Sequence, residues 1–321
     1  MNRGPLIGCT TLVILLMATT CYAVSQSGVL FLMIAPGARA GGMGESFVAV
    51  ADDATASYWN PAGLAFQSGT EMAFMHTKWF PEFTTDMYYD FACWSTHLEG
   101  TGTIGGHIIY FSYGDLPLTS EFGPEIQGFH HSYEVAISGS FGALVSDRIA
   151  AGVNLKGIYS DLGPGQNVER GDGKAISYAV DVGALSQGLI PRLSLGAMVQ
   201  NIGPNIMYID ADQSSPLPRN LKLGASYQIL DSQYNDLLFC SQVDLSLVAG
   251  EWWGNLGGEY WYSQLLALRA GYIYDKYGEI KTATFGAGLR YHIFQFDFGY
   301  ITAQEGHPLA DTIRFSLAAS F

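Results

Sequence analysis

Apolar and polar residues alternate along the last stretch of the chain. The apolar set is Ile313, Phe315, Leu317, Ala319 and Phe321, and the alternate positions include the polar residues Thr312, Arg314, Ser316 and Ser320. Successive side chains of a strand point to opposite faces, so this period of two predicts a β-strand with one apolar and one polar face. The same alternation occurs in residues 220–230 and 282–292. The chain must therefore fold into a sheet whose two faces meet different surroundings.

From residue 69 onward, such segments of about ten residues are separated by turn residues. We predict fourteen strands, at 69–79, 86–98, 103–113, 131–142, 148–160, 176–187, 193–203, 220–230, 237–249, 252–262, 265–275, 282–292, 293–304 and 311–321. A soluble β-sandwich would alternate in the same way, with the apolar face as its core. However, charged residues make up only 14% of the chain and aromatic residues 13%, whereas soluble domains carry roughly 25% charged residues. We therefore predict an all-β fold, a 14-stranded transmembrane antiparallel β-barrel.

The connections between these segments alternate in length over the first half of the chain. Long ones lie at 114–130, 161–175 and 204–219, and short ones at 99–102, 143–147, 188–192 and 263–264. Outer-membrane barrels have short periplasmic turns and longer outside loops, so the long set is predicted to lie outside the cell. Tight connections at 250–251 and 291–294 make the second half nearly uniform.

Charged residues within the strands indicate which face is the interior. An Arg or Lys on the lipid face at mid-bilayer costs about 2–4 kcal/mol. We therefore predict that the strand charges point into the lumen, where they form a structural network rather than a ligand site: Lys156, Asp181, Lys222, Asp244, Arg269, Arg290, Asp297 and Arg314. Aromatic residues near strand ends are predicted to form the interfacial girdles: Trp79, Tyr110, Tyr113, Trp252, Trp253, Tyr260, Trp261 and Tyr262.

The first residues are typical of a leader. Arg3 precedes a short apolar run centred on residues 12–17, and Cys21-Tyr22-Ala23 offers a cleavage site after Ala23. We predict a signal peptide at residues 1–23. A lipoprotein alternative would acylate Cys21, but Thr19-Thr20 make a poor lipobox.

A glycine-rich run follows, within a segment that we delimit as 24–68. It reads PGARAGGMGESFVAVADDATASYWNPAGLAF from Pro36 to Phe66. Glycine-rich backbone can pass close to other backbone, which suits packing inside something narrow. The acids Asp52 and Asp53 fit the capping of a short helix at 54–59. In the sequence Asn60-Pro61-Ala62-Gly63, Asn-Pro predicts a turn in which the Asn60 side chain bonds the backbone two residues on.

The parts GARAGGMGESFVAVADD and ATASYWNPAGL resemble the N-terminal signature of the PorV/PorQ family of bacterial outer-membrane proteins. The portion from ADDA to NPAG is also similar to the hatch of FadL channels. The resemblance implies a barrel of fourteen strands at 69–321 in the outer membrane of a diderm bacterium, and our division of the sequence into strands follows that number. It also implies a hatch, or plug, at 24–68 in the periplasmic mouth of the barrel. Asp52 and Asp53 would belong to the plug motif, and the NPAG residues 60–63 would form a tight turn that anchors the plug to the wall or, alternatively, takes part in gating. The final Phe321 resembles the C-terminal signal that the barrel-assembly machinery recognises.

No pattern in the sequence points to catalysis, a cofactor or a metal. The pair His130-His131 points to opposite strand faces, and Asp52-Asp53 lacks the spacing of a calcium loop. No nucleotide loop or nucleophile elbow is present. A formal net charge of −14 argues against a nucleic-acid partner. We predict a protein that is not an enzyme.

The resemblance implies a part in type IX secretion, through protein docking on outside loops 114–130 and 161–175. The expected partners are outer-membrane lipid, the barrel-assembly machinery, the type IX translocon and its secreted cargo. The alternative is a FadL-like transporter of fatty acids or other hydrophobic molecules, which needs an apolar path and a mobile hatch. A third possibility, a soluble secreted β-protein, conflicts with the scarcity of charge and with the terminal Phe321.

Overall fold

The computed structural model describes residues 27–80, 84, 86–120, 123–163, 173–208, 214–302 and 310–321. The predicted signal peptide at 1–23 lies outside these residues, so this boundary stays a prediction. The boundaries 24–68 and 69–321 likewise stay predictions.

Fourteen antiparallel strands close into one barrel, in which each strand pairs with its neighbours in sequence and β14 pairs with β1. They are β1 Thr70–Lys78, β2 Tyr88–Leu98, β3 Gly102–Ser120, β4 Gly123–Ser146, β5 Ile149–Asp161, β6 Lys174–Ile190, β7 Leu193–Ile202, β8 Asn220–Asp231, β9 Asn235–Ser246, β10 Trp252–Tyr262, β11 Leu266–Asp275, β12 Ile280–Tyr291, β13 Phe294–Thr302 and β14 Ala310–Ser320. The predicted 14-stranded antiparallel barrel is confirmed.

The alternation in the sequence becomes the two faces of the wall. On β14, the side chain of Phe315 is 60% exposed on the outside, whereas its neighbour Arg314 is 1% exposed on the inside. Large apolar residues face outward on the other strands too, among them Leu268 and Phe285. Because a barrel pairs every strand on both sides, its backbone groups need no partner from lipid.

The two ends of the barrel differ. At one end, which we call the inner end, connections of two or three residues lie at 99–101, 147–148, 191–192, 232–234, 263–265 and 292–293. At the other, the outer end, most connections are longer, as at 79–87, 162–173 and 203–219. This matches the pattern of short periplasmic turns and longer outside loops.

The predicted loop 114–130 is wrong. β3 continues to Ser120 and β4 begins at Gly123, so most of this stretch is a two-stranded ribbon beyond the barrel wall. Gly114, Asp115 and Pro117 are typical of turns in sequence, but Gly114 forms a bulge with φ 78° and the strands pair on past it. We call residues 114–120 and 123–132 the outer ribbon.

Residues 27–68, which we call the inner segment, lie inside the barrel. They contain α1 Ala38–Gly42, α2 Ala56–Trp59 and 3₁₀ turns at Leu30–Met33 and Pro61–Phe66. The helix predicted at 54–59 is thus one turn. None of the helices in the described residues has the length and apolar character that a membrane crossing requires.

The girdle prediction is partly wrong. Trp79 and Trp261 are 8% and 5% exposed because they point inward. Trp252 and Tyr262 are exposed on the outside, where the Tyr110 ring also lies, with its centroid 5.9 Å from that of Tyr88.

Candidate functional site

The inner segment packs against an apolar half of the barrel interior. Tyr58 and Trp59 are 1% and 0% exposed, and the Tyr58 ring lies 6.3 Å from that of Phe91 on β2. Phe31, Leu32, Met43, Phe47 and Leu64 belong to the same buried set, together with Met75, Ile109 and Phe111 from β1 and β3. The interior thus carries a packed hydrophobic core of the kind that soluble domains have.

Glycines allow the inner segment to lie directly against backbone. A Cβ on Gly63 would stand 2.0 Å from the carbonyl oxygen of Ala51, and one on Gly152 of β5 would stand 2.2 Å from the carbonyl carbon of Pro61. Neither position has space for a side chain. The predicted close approach of backbones therefore occurs both within the inner segment and between it and the wall.

Asn60 connects three parts of the structure and is fully buried. Its Oδ1 accepts a hydrogen bond from the Ala62 amide at 3.2 Å, which is the bond that the Asn-Pro turn predicts. Its Nδ2 donates to the carbonyls of Val48 at 2.9 Å and Ala184 at 3.1 Å. Since Ala184 lies on β6, this side chain fixes the 60–63 turn to the barrel wall.

Arg39 is the centre of an ion-pair network that the sequence did not indicate. Its Nη1 lies 2.6 Å from Asp52 and 3.0 Å from Asp53 within the inner segment, and its Nη2 lies 2.7 Å from Glu259 on β10. The Asp53 carboxylate also accepts from the Thr55 amide at 2.9 Å, just before α2. Asp52 and Asp53 therefore form ion pairs with the same arginine that connects the inner segment to β10 of the wall.

The network continues along the wall. Arg269 on β11 lies 2.6 Å from Glu259 and 2.8 Å from Asp297 on β13. Arg314 on β14 donates to Glu45 of the inner segment at 2.8 Å. The α1 end of the segment is thus held by ion pairs with two strands, β10 and β14, and Arg269 extends the network to β11 and β13.

Two lysine–aspartate pairs occupy the opposite part of the interior. Lys156 lies 3.1 Å from Asp181, across β5 and β6. Lys222 lies 3.6 Å from Asp244, across β8 and β9, and its Nζ stands 4.9 Å from the centre of the Trp59 ring. These four residues are 6% exposed or less. Buried charges need such partners because desolvation is expensive.

A polar cavity of about 410 Å³ opens near the inner end of the barrel. Arg39, Asp52, Asp53 and Glu259 line it from the network, and Arg290 lines it from β12. The half-buried Arg290 guanidinium stacks 4.5 Å from the Trp261 ring and donates to Gln295 at 2.7 Å. All eight strand charges named from the sequence thus lie on the inward side of the wall.

The outer end of the inner segment contacts the connection between β7 and β8, of which residues 203–208 and 214–219 are described. Gly28 donates its amide to the Pro216 carbonyl at 3.0 Å, and Ile206 and Leu217 are fully buried. The Tyr208 hydroxyl donates to Ser160 Oγ at 3.1 Å, and burial raises the pKa of Tyr208 to about 12. The described part of this connection therefore packs over the segment from the outer side.

The outer ribbon carries exposed apolar and polar side chains. Phe129 and Ile126 are 66% and 58% exposed. His131 pairs with Asp115 across the ribbon at 2.9 Å, whereas His130 faces the other way, toward Asp161 on β5. The two histidines therefore do not converge on one site.

Among the described residues, no group of three His, Cys, Asp or Glu side chains is placed to hold a metal ion. The arrangement brings together contacts that hold a segment in place. Sequence reasoning missed Arg39, Glu45 and Glu259. Arg39 is the single charge in the small-residue run from Pro36 to Gly44, and this was the available signal.

At the chain end, Phe321 closes the barrel through its backbone. It exchanges two hydrogen bonds with Thr70, of 2.8 and 3.1 Å, while its side chain is 68% exposed. The recognition role expected of this residue stays a prediction.

Solved structures with a similar fold are outer-membrane barrels. The toluene transporter TodX of Pseudomonas putida is 14% identical, covers 89% of this chain and 97% of its own, and has a TM-score of 0.60. A FadL homologue of Pseudomonas aeruginosa is 11% identical, with 89% and 98% coverage and a TM-score of 0.53. At these identities the likeness shows the fold alone. No curated protein sequence matches the chain.

The family comparison is more specific than the fold. The model of the type IX secretion system protein PorV matches residues 18–250, which is more than half of the chain and includes the whole inner segment. The protein therefore belongs to the PorV family of type IX secretion system proteins and is a barrel of the outer membrane.

Proposed function

We propose that this protein serves type IX secretion as a closed barrel, which docks other proteins on its outer surface and passes nothing through its lumen. The observation that carries the proposal is the packed interior. Phe31, Leu32 and Trp59 are each exposed by 1% or less, although they lie inside a barrel. A protein whose lumen is filled with a core offers its surfaces for function.

The inner segment acts as the hatch in this proposal. Arg39, Asn60 and Glu45 bond to β10, β6 and β14, so contacts around much of the wall hold it. A buried arginine that loses its partner leaves an uncompensated charge, which costs about 3–5 kcal/mol. The segment therefore closes the barrel permanently and does not open during transport.

The outer ribbon and the β5–β6 connection provide the docking surface. The ribbon presents Phe129 and Ile126 to solvent beyond the barrel wall, where a docked protein would cover them. The connection runs from residue 162 to 173, of which 164–172 lie outside the described residues. The translocon and its secreted cargo are the partners that the family implies.

Two further partners follow from the outer wall. Outer-membrane lipid covers the apolar outward faces, because burial of that area drives insertion. The barrel-assembly machinery reads the C-terminal strand that ends in Phe321, whose side chain is 68% exposed.

A FadL-like transporter is the less favoured alternative. It needs an apolar path and a hatch that moves. Here the cavity at the inner end is lined mainly by charged and amide side chains, including Arg39, Asp52, Asp53, Glu71, Asp236 and Glu259. The ion pairs that hold the hatch also oppose its movement.

The test is affinity purification of the detergent-extracted protein from its own outer membrane. We expect the wild-type protein to recover type IX components. Replacement of residues 115–130 by a two-residue turn removes the proposed docking surface and should reduce that recovery at least tenfold. The parts of β3 and β4 within the barrel wall stay intact, so the barrel should still fold. As a control, the tight outer connection 276–279 is replaced by a turn of the same length.

Heat-modifiable migration on gels shows whether each barrel is folded. Recovery of the protein alone with bound acyl chains would contradict the docking function and support the transporter. Single-channel recording gives a second measurement, in which a closed barrel conducts no ions.

A further inference from the structure

The polar cavity of about 410 Å³ at the inner end, which we call the inner cavity, has a rim and a floor. The rim includes Gln264 and His292, which are exposed residues in the short turns 263–265 and 292–293. The floor includes the buried pair Arg39 and Glu259. Because short turns mark the periplasmic end of such barrels, a small molecule can enter the cavity from that side.

One wall of the inner cavity carries a positive charge that neutral groups hold in place. Arg290 donates from Nε and Nη2 to Gln295 Oε1, at 3.0 and 2.7 Å, and from Nη1 to Gln264 Oε1 at 3.2 Å. Its guanidinium also lies 4.5 Å from the centre of the Trp261 ring. In the described part of the chain, Arg290 forms no ion pair with a carboxylate. These bonds leave one N–H group on Nη1 and one on Nη2, which can donate to the two oxygens of a carboxylate.

The rest of the inner cavity is acidic. The charged side chains that line it are the acids Asp52, Asp53, Glu71, Asp236 and Glu259 and the arginines Arg39 and Arg290. Glu71 accepts from the Ala54 amide at 3.1 Å, and Asp236 accepts from the Gln228 side chain. Neither of these two acids forms an ion pair with a basic residue among those that the structure describes. Negative charge therefore exceeds positive charge in the cavity, which favours a ligand that carries an ammonium group.

Trp261 separates the two kinds of charge along the wall. It is the register partner of Asp236 on β9, and its ring contacts Arg290, which belongs to β12. Since β10 and β11 lie between β9 and β12, the backbones at Asp236 and Arg290 are about 14 Å apart. Leu238 and Ile293 add apolar surface to the lining. A molecule that contacts both charged sides must therefore be elongated, with an apolar middle.

We propose that the inner cavity binds a diamino acid of the lysine or diaminopimelate type, either free or within a cell-wall peptide. Arg290 binds the carboxylate, the aliphatic chain lies on Trp261, and Asp236 binds the ammonium group at the other end. A simple anion would meet the acidic side, and a simple amine would leave the Arg290 donors unused. This site goes beyond the docking function, because it lies at the end of the barrel opposite to the outer ribbon.

Calorimetric titration of the purified barrel in detergent tests the class of ligand. The probes are lysine, meso-diaminopimelate, norleucine and cadaverine, which have aliphatic chains of similar length. Norleucine lacks the second ammonium group of lysine, and cadaverine lacks its carboxylate. We expect lysine and diaminopimelate to bind, and the other two to bind at least tenfold more weakly.

Two variants test the two ends of the site. Arg290→Gln should weaken lysine binding at least tenfold and leave cadaverine binding unchanged, because only the contact with the carboxylate is lost. Asp236→Asn should weaken lysine binding and leave norleucine binding unchanged. The matched controls are Arg148→Gln and Asp147→Asn, at exposed positions of the inner turn 147–148 outside the cavity.

Heat-modifiable migration shows that each variant is folded. A general loosening of the barrel would weaken all probes together and would not divide them by charged group.

Sedimentation with purified cell-wall sacculi distinguishes the two sources of the ligand. If the wild-type barrel sediments with sacculi, Arg290→Gln does not, and free lysine releases the wild type, the ligand is the diamino acid of a cell-wall peptide. If lysine binds in solution and the barrel does not sediment, the ligand is the free amino acid.

Three results would overturn the inference: none of the probes binds, norleucine or cadaverine binds as tightly as lysine, or Arg290→Gln binds lysine as the wild type does. These results leave the docking function intact, because that function is tested by replacing residues 115–130. The protein with that replacement should bind lysine as the wild type does.

Discussion

Arg39 donates from Nε and Nη2 to both carboxylate oxygens of Glu259, at 2.9 and 2.7 Å, across a separation of 220 residues in sequence. The guanidinium and the carboxylate are both buried, at 9% and 3% exposure. Two parallel bonds of this kind fix orientation as well as distance. The pair thus determines where the inner segment lies against β10.

We expect Arg39→Ala to lower the free energy of unfolding by about 3–5 kcal/mol, because Glu259 and the two aspartates lose a buried partner. Urea titration of the protein refolded in lipid vesicles measures this. Arg39→Lys should recover only part of the loss, since an ammonium cannot make both bonds. The control Arg148→Ala removes an exposed arginine at an inner turn and should change stability by about 0.5 kcal/mol or less. If Arg39→Ala behaves like this control, the network does not hold the segment.

Gly152 and Gly157 lie on the same strand and differ in what a side chain would meet. A Cβ at Gly152 would stand 2.2 Å from Pro61, and one at Gly157 would meet nothing within 4 Å. We expect Gly152→Val to displace the turn at Asn60 and to lower the free energy of unfolding by about 1–3 kcal/mol. Gly157→Val should be neutral.

Proteinase K treatment of the folded barrel provides the measurement for this pair. Cleavage within residues 50–68 should appear in Gly152→Val and stay absent in Gly157→Val and in the wild type. Equal protection of the two variants would mean that Pro61 does not rest on β5 as described.

The strands were predictable because lipid on one side and a filled lumen on the other impose the same period of two throughout. β10 is found at 252–262, as predicted, and β8 runs one residue past its predicted end. The ribbon was missed because Gly114 and Pro117 are typical of turns, and the sequence does not show that Phe129 pairs with Pro117. The register of two strands depends on the hydrophobic pattern of both and on the turn that joins them, so it cannot be read from either strand alone.

The sequence predicted that charged side chains point into the barrel, but not which residues they pair with. The cost of charge in lipid placed Lys156 and Asp181 on the inward side, yet nothing in the sequence connects Arg39 to Glu259. Such a pair forms only after the inner segment enters the barrel. The turn at Asn60 was more accessible to prediction because its bond to Ala62 is local.

Depth in the bilayer can be tested on β12. Phe285 lies near the middle of this strand and Tyr291 at its inner end, and both face outward with 52% and 65% exposure. We expect Phe285→Arg to destabilise the protein in vesicles by about 2–4 kcal/mol and Tyr291→Arg by about 0–1 kcal/mol. Unfolding by urea gives both values. Equal destabilisation by the two substitutions would mean that Phe285 does not lie deeper in the bilayer than Tyr291.

The last prediction separates recognition of Phe321 from stability. The backbone of this residue pairs with Thr70, whereas its side chain is 68% exposed and so contributes little to the folded barrel. We expect Phe321→Ala to refold in detergent with a free energy of unfolding within about 0.5 kcal/mol of the wild type. In cells, the same variant should accumulate several-fold less folded barrel in the outer membrane.

Phe294→Ala is the matched control, because Phe294 is also an exposed aromatic residue at the inner end and pairs with Ala319 next to the terminus. It should assemble in cells as the wild type does. Equal loss in the two variants would indicate that apolar surface at the inner end matters for insertion in general. A defect of Phe321→Ala in detergent would show that the side chain supports the fold. Only a defect confined to cells and to Phe321 identifies a residue that the assembly machinery reads.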